Sequence, residues 1–291
     1  MLRRTFLIGA TCAAASTFAR ARPTAFGGDR FRRGVLALER KAQGRFGLAL
    51  LDTGDGARFA HRADERFPMC STFKLPLAAA VLGRVDLGRE RLDRPIPIAA
   101  SDIVAHSPMT ELRVGRTATV AELCEAIMTE SDNAAANILL TTIGGPAGMT
   151  RFMRRLDGGV SRLDRLEPAL NESLPGDPRD TSSPAAMART LGAIAFGSVL
   201  SPASRNLLVG WMRANKTGQR RLRAGLSEGW RVGDKTGAGA NGSDNELAVL
   251  WPPNRPPLLV AAYLTATPLP FERTNAIHAQ LARLIVASAG G

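Results

Sequence analysis

The sequence predicts an α+β protein: an antiparallel β-sheet flanked by N- and C-terminal helices, plus an all-helical lobe formed by the middle of the chain. Three observations predict it. Short strand-like runs bounded by turn residues cluster near the two ends of the chain. The stretch from Thr72 to about Arg221 instead carries Ala- and Leu-rich segments of helical spacing. The composition, 45% apolar and 22% charged over 291 residues, suits one large domain or two intimately packed ones. It excludes disorder and collagen-like repeats, and no internal repeat is present.

Residues 1–21 open on Arg3-Arg4, run through an apolar stretch from Phe6 to Ala19 and end in Ala19-Arg20-Ala21, a small-residue cleavage pattern. This predicts a cleaved signal peptide and a periplasmic protein. The stretch is interrupted by Thr11, Ser16 and Thr17 and is too short to span a bilayer, so no permanent membrane anchor is expected. Arg3-Arg4-Thr5-Phe6-Leu7 resembles a twin-arginine signal, which exports folded proteins. Cys12 is not read as a lipidation site, because Thr11 stands where lipid-attachment sites want Gly, Ala or Ser.

Arg30 to Gln43, with Phe31, Val35, Leu36 and Leu38 between charges, predicts an amphipathic helix. Gly47 to Asp52 and Arg58 to His61 predict a hairpin turning at Thr53-Gly54-Asp55-Gly56. The helical middle is broken at Pro95, at Gly144-Gly145-Pro146 and over Leu174 to Pro184. Trp230 to Thr236, Glu246 to Trp251 and Leu258 to Thr265 then predict three strands, and Thr274 to Ser288 a closing helix. Strands from both ends should meet in one sheet. The expected division is a discontinuous α/β lobe of 28–66 and 222–291 and a helical lobe of 67–221.

The net charge is +12, yet only Lys41, Lys74, Lys216 and Lys235 are lysines. Arginine is the default cation, so a retained lysine marks a position where a guanidinium, which cannot be deprotonated, will not serve. Loss of residues 1–21 removes three arginines and no acid, leaving +9 on 270 residues. The arginines are spread among acids rather than gathered in one stripe, which argues for a solvated basic surface and against nucleic-acid binding. His61, His106 and His278 are too scattered for a zinc site. Cys70 and Cys124 remain after export, and their pairing is not readable from the sequence.

Four motifs carry chemistry. Ser71-Thr72-Phe73-Lys74 opens an apolar stretch, so hydroxyl and amine at i and i+3 share one helix face near a buried N-terminus, where the dipole favours an oxyanion. Pro76 is tolerable only in that first turn. Ser131-Asp132-Asn133 lies between two helical runs, and on its own reads first as an N-cap. Lys-Thr-Gly occurs at 216–218, after a helix, and at 235–237, extending a strand. The second is preferred, because a strand edge with small residues lets a carboxylate-bearing, peptide-like substrate lie along the backbone beside Lys235. Glu167-Pro168-Ala169-Leu170-Asn171 falls in a loop, with Glu167-Pro168 a candidate cis bond and Asn171 near enough to share a water with the carboxylate.

In this order and spacing the four motifs resemble the class A serine β-lactamases, from about Arg30 to the C-terminus. Asn137, Arg165 and Asp180 also match family positions, the last two resembling the ion pair that closes an omega-shaped loop over about 162–181. The resemblance implies hydrolysis of the β-lactam amide of penicillins and cephalosporins through a serine acyl-enzyme, in a site between the lobes of a monomer, with no metal or organic cofactor. Ser71 would be the nucleophile, with the amides of Ser71 and Ala238 as oxyanion hole. Lys74 and Glu167 compete as acylation base, and Glu167 with Asn171 would activate the deacylating water. Ser131 would pass a proton to the ring nitrogen, Asn133 would hold the acyl amide, and Lys235 with Thr236 would bind the substrate carboxylate.

The sequence also departs from the family. Asp244 stands where other members carry arginine, so Arg221 is expected to support the carboxylate in its place. Positions that pair with Cys124 and Cys70 in some members are Ala78 and Gly239 here, so neither of those disulfides is expected. His106 falls at a rim position that is commonly aromatic. The rivals are a penicillin-binding D,D-peptidase and a non-catalytic β-lactam sensor; Glu167 and Asn171 argue against both, because a deacylating water needs its own base.

Overall fold

The computed structural model describes residue 26 and residues 28–290, so the expected leader at 1–21 lies outside the described residues. Helix α1 (Asp29–Ala42) leads into the hairpin β1 (Arg45–Asp52) and β2 (Arg58–His61), turning where the Gly-Asp-Gly signal predicted. After β3 (Phe67–Pro68), a single 3₁₀ turn at Cys70–Phe73 runs into α2 (Lys74–Asp86). Next come β4 (Pro95–Pro97), β5 (Thr117–Thr119), α3 (Val120–Thr129), α4 (Asn133–Thr142) and α5 (Gly145–Asp157). A long loop then reaches β6 (Thr181–Ser182), followed by α6 (Pro184–Ala195) and α7 (Pro202–Arg213). Strands β7 (Arg231–Gly239), β8 (Ser243–Trp251) and β9 (Leu258–Thr265) and helix α8 (Phe271–Ala289) complete the chain.

The five long strands form one antiparallel sheet in the order β2-β1-β9-β8-β7, so strands from the two ends of the chain pair directly, Leu48 opposite Ala262 and Ala49 opposite Ala261. Both faces are covered. Phe46, Leu48 and Leu50 of β1 and Val260, Ala262 and Leu264 of β9 pack with Phe31 and Val35 of α1 and Ile277 and Leu281 of α8. Ala261 and Tyr263 of β9 and Leu247 and Val249 of β8 instead pack with α2 and the helices around it. Burial of each such Leu or Val contributes roughly 1.5–3 kcal/mol, which is why β9 is apolar almost throughout rather than alternating.

The helical middle is as expected, with two small additions. The two- and three-residue pairs β3–β6 and β4–β5 were not expected, since runs that short carry no alternation. Helix α2 is buried along Lys74 to Leu82, and Pro76 falls in its first turn, where no hydrogen bond is lost. Its position over the sheet is what delivers the Ser71 turn to the edge strand β7.

Candidate active site

The Ser71 turn rests against β7 at backbone contact distance. A Cβ on Gly237 would lie 2.9 Å from Met69 O, 3.0 Å from Thr72 N and 3.1 Å from Ser71 N. Gly237 therefore lets the strand and the Ser71 turn approach, and Ala238 is left exposed at the edge. Cys70 takes φ 45° to make this turn, and Ser131 takes φ 63°. Each is a left-handed conformation that costs of order 1–3 kcal/mol and persists because its surroundings enforce it. Thr72 locks the turn from beneath, donating to Met69 O at 2.7 Å and sharing a 3.0 Å hydrogen bond with Tyr263 Oη.

The motif residues converge. Ser71 Oγ donates to Glu167 Oε1 at 3.3 Å, and Lys74 Nζ lies 2.9 Å from the same oxygen. Lys74 also donates to Ser131 O at 2.7 Å, to Ser131 Oγ at 3.4 Å and to Asn133 Oδ1 at 2.5 Å. Lys235 donates to Ser131 Oγ at 3.1 Å from the other side. Serine and lysine of the first motif thus meet through Glu167; Ser71 lies in the 3₁₀ turn ahead of α2 rather than on the helix face expected for it.

Burial lowers the Lys74 pKa, against the opposing pull of Glu167. Burial, then repulsion from Lys74, pushes Lys235 well below the ordinary lysine value. Both amines are therefore brought toward the neutral form, a state arginine cannot reach.

Ser131-Asp132-Asn133 divides its work by residue. Asp132 caps α4, accepting from Ala135 N at 2.8 Å, and also holds Met109 N and the Thr110 hydroxyl at 2.9 Å. The N-cap reading is correct for Asp132, while Ser131 and Asn133 face the lysines. Asn133 Nδ2 donates to Ala105 O at 2.8 Å, fixing the amide. His106 is exposed at φ 63°, its Nε2 3.0 Å from Glu130 O, which sets the ring beside the Ser131 turn.

Glu167 is held by backbone and side chain together. Asn137 donates to Glu167 O and accepts from Glu167 N, both at 2.9 Å, and Asn171 Nδ2 donates to Glu167 Oε2 at 2.5 Å. The Glu167-Pro168 bond is cis, as the sequence suggested. Asp180 ties the two ends of the loop, accepting from Arg165 Nε at 2.6 Å and from the amides of Asp164 and Arg165 at 2.7 and 3.0 Å. Ala240 N donates to Asn171 O at 2.9 Å, joining the loop to the β7–β8 turn.

Arg221 is buried. Its guanidinium donates to Asn245 O at 2.6 Å, Asn275 Oδ1 at 3.0 Å and Gly237 O at 3.5 Å, and lies 2.6 Å from Asp244. It thus sits one residue from Thr236, and Asp244, besides leaving that position without a cation, balances the one that reaches it. Thr217, expected only in a polar turn, reaches the site: its hydroxyl is 2.5 Å from that of Thr236. The Lys-Thr-Gly copy at 216–218 is a turn, as expected, but it packs against the preferred copy at 235–237. Asp234, which no motif marks in the sequence, accepts from Asn215 Nδ2 at 2.5 Å and Arg223 Nη2 at 2.6 Å and so anchors β7 beside Lys235.

Cys70 and Cys124 are both free and buried. Burial pushes the Cys70 thiol up to about 12 and the Cys124 thiol higher still, so both are inert small side chains.

A sheet and helical layer of this form, with a serine, two lysines and a loop glutamate at their junction, define a serine hydrolase of the class A β-lactamase type. The comparisons agree. The family model described as "Beta-lactamase enzyme family" matches residues 30–289. β-Lactamase L2 of Stenotrophomonas maltophilia is 47% identical over 85% of this chain and 82% of its own length. β-Lactamase CTX-M-8 of Citrobacter amalonaticus is 44% identical over 86% of each. Among solved structures, a class A β-lactamase reconstructed as the last common ancestor of Gram-negative bacteria superposes with a TM-score of 0.87 at 57% identity, covering 88% of this chain and 98% of that one. A β-lactamase of Xanthomonas campestris gives 0.89 at 47%, covering 92% and 100%. The chain belongs to the class A β-lactamases, serine hydrolases that open β-lactams and confer resistance to them.

Proposed function

We propose that Ser71 attacks the β-lactam carbonyl, that Glu167 and Asn171 activate the water that releases the acyl group, and that penicillins and cephalosporins are both turned over. The observation carrying this reading is the convergence of Ser71 Oγ and Lys74 Nζ on one buried oxygen, Glu167 Oε1. A carboxylate beside the nucleophile gives deacylation a base, which a slowly deacylating peptidase or a sensor lacks. Either Lys74, favoured toward neutrality by burial, or Glu167 takes the hydroxyl proton in acylation.

The amides of Ser71 and Ala238 form the oxyanion hole, supported by the backbone contact between the Ser71 turn and β7. Ser131, hydrogen-bonded by both lysines, returns a proton to the departing ring nitrogen. Lys235 and Thr236 bind the substrate carboxylate, with Arg221 adding charge from behind Gly237. Asn133 holds the acyl side-chain amide, and His106 forms part of the rim. The site lies between an α/β lobe of 28–66 and 222–291 and a helical lobe of 67–221.

The protein acts as a monomer, exported to the periplasm by a cleaved leader at 1–21 of twin-arginine type. The leader pattern in the sequence supports the route. Among the described residues no helix is long and apolar enough to cross a membrane.

The decisive experiment is ring-opening absorbance of a penicillin and a chromogenic cephalosporin, followed by intact mass after mixing. Fast turnover with no persistent adduct is expected. A stable one-to-one adduct without turnover would make the protein a penicillin-binding peptidase or sensor.

A further inference from the structure

We propose that the helical layer carries a second binding site, for a single-chain anionic lipid of the alkyl phosphate type, in a cavity that none of the active-site residues lines. The cavity holds about 560 Å³ and lies between the C-terminal half of α2, helix α5 and the α6–α7 connection. That volume falls within the roughly 300–1,000 Å³ of small-molecule sites.

Two independent features determine the ligand chemistry. The first is charge. Arg84, Arg89, Arg151 and Arg155 all line the cavity. Of the neighbouring ion pairs, Arg91 joins Asp93 and Arg94 joins Glu90, whose carboxylate also feels Arg84 at longer range. Asp86, the one carboxylate in the lining, accepts from Ser201 N at 2.8 Å, Ser201 Oγ at 2.7 Å and Ser204 Oγ at 2.6 Å at the start of α7. The four cavity arginines are thus without a carboxylate partner among the described residues, and Arg84 Nε is buried with no hydrogen-bond partner. Four guanidinium charges against the single Asp86 carboxylate leave the concavity with an excess of positive charge, and a guanidinium fork matches phosphate oxygens two at a time.

The second feature is the floor. Phe152, Leu156 and Val199 each pack one side on the helical core and turn part of their surface to the cavity. At its mouth Leu87 is 67% exposed. A free inorganic anion would leave this apolar surface wet, whereas an alkyl chain covers it while its headgroup meets the arginines.

The test is calorimetric titration of the purified protein with dodecyl phosphate below its micelle concentration. Saturable one-to-one binding is expected, weakened at least about tenfold in the R151E/R155E double variant, with β-lactam hydrolysis unchanged as the control for folding. R89E, at another lining arginine, should weaken binding in the same direction. Inorganic phosphate and dodecanol should each bind at least about tenfold more weakly than dodecyl phosphate, because each satisfies only one half of the site. The proposal is overturned by absence of binding, by equal binding in wild type and double variant, or by inorganic phosphate or dodecanol binding as tightly as the amphiphile. Association with phosphatidylglycerol vesicles but not with the monomer would also overturn it, by replacing the cavity with a membrane-facing surface.

Discussion

Lys74 Nζ lies 2.9 Å from Glu167 Oε1, and both side chains are closed to solvent. The pair joins the first residue of α2 to a loop almost a hundred positions later. It gives the Ser71 hydroxyl two basic groups nearby: an amine disfavoured as a cation by burial, and a carboxylate that accepts its hydrogen bond.

Removing the carboxylate should separate the two halves of the reaction. Glu167→Ala is expected to acylate at Ser71 and then stall, with turnover reduced by about 10²–10⁴-fold. Intact mass spectrometry after mixing with a penicillin should show the adduct within one turnover time. Free enzyme with undiminished turnover would contradict the role given to Glu167.

Lys235 is buried and bonded to Ser131 Oγ, so on the proposed function its loss should affect both carboxylate binding and the Ser131 proton path. Lys235→Ala should lower kcat/KM about 10- to 100-fold, the equivalent of about 1.5–3 kcal/mol for a charged hydrogen bond. A substrate analogue lacking the carboxylate should lose much less between wild type and variant. Equal losses for both would remove Lys235 from carboxylate recognition.

Asp180 accepts three hydrogen bonds that close the loop carrying Glu167. Asp180→Ala strands Arg165, which keeps only its exposed partner Glu172. Breaking this part-buried pair costs less than the roughly 3–5 kcal/mol of a fully buried one, and is felt first as local loosening. Deacylation should slow more than acylation, because Glu167 rather than Ser71 rides on the loop. Stopped-flow separation of the two steps tests this; a uniform slowing would contradict it.

Glu246 and His278 face each other under the sheet, His278 Nδ1 3.7 Å from Glu246 Oε2. Burial, followed by the nearby Asp234 carboxylate, raises the Glu246 pKa well above 4.5, so the folded chain keeps a proton that the unfolded chain loses. That contribution to stability is complete below pH 4.5 and declines as pH rises. Burial lowers His278 from 6.5 to about 4, so the unfolded chain binds the extra proton between those values. Its contribution, about 3 kcal/mol, is complete above pH 6.5 and is lost as pH falls toward 4. The two slopes oppose. Glu246→Gln should therefore leave a Tm that rises from pH 4 to 6.5 and then levels, and His278→Gln one that falls as pH rises above 4.5. Parallel profiles for the two variants would contradict the assignment.

Both thiols of residues 28–290 are buried, and neither is paired. Native protein should resist thiol reagents at pH 8, react at Cys70 and Cys124 only on unfolding, and show no change in Tm with reductant. A fall in Tm on reduction would reveal a bridge.

Much of this molecule was legible from local pattern. The hairpin at Thr53–Gly56, the three late strands and the terminal helices follow from side-chain period and turn chemistry, both short-range properties. Ser71, Lys74, Ser131, Glu167 and Lys235 stood out because motif spacing survives in the sequence. Thr217, Asp234 and the closing of Asp244 on Arg221 did not, since each acts through a contact between distant segments. The close approach of the Ser71 turn to Gly237 was not legible for the same reason: room along a strand edge is a local reading, and a distant turn pressed against that strand is not. The sequence by itself determined which elements form and which side chains are chemically able. Only the tertiary structure decided that Ser71 and Lys74 share one oxygen of Glu167, because helix α2, the loop and β7 meet there only once the sheet and helices bury their common core.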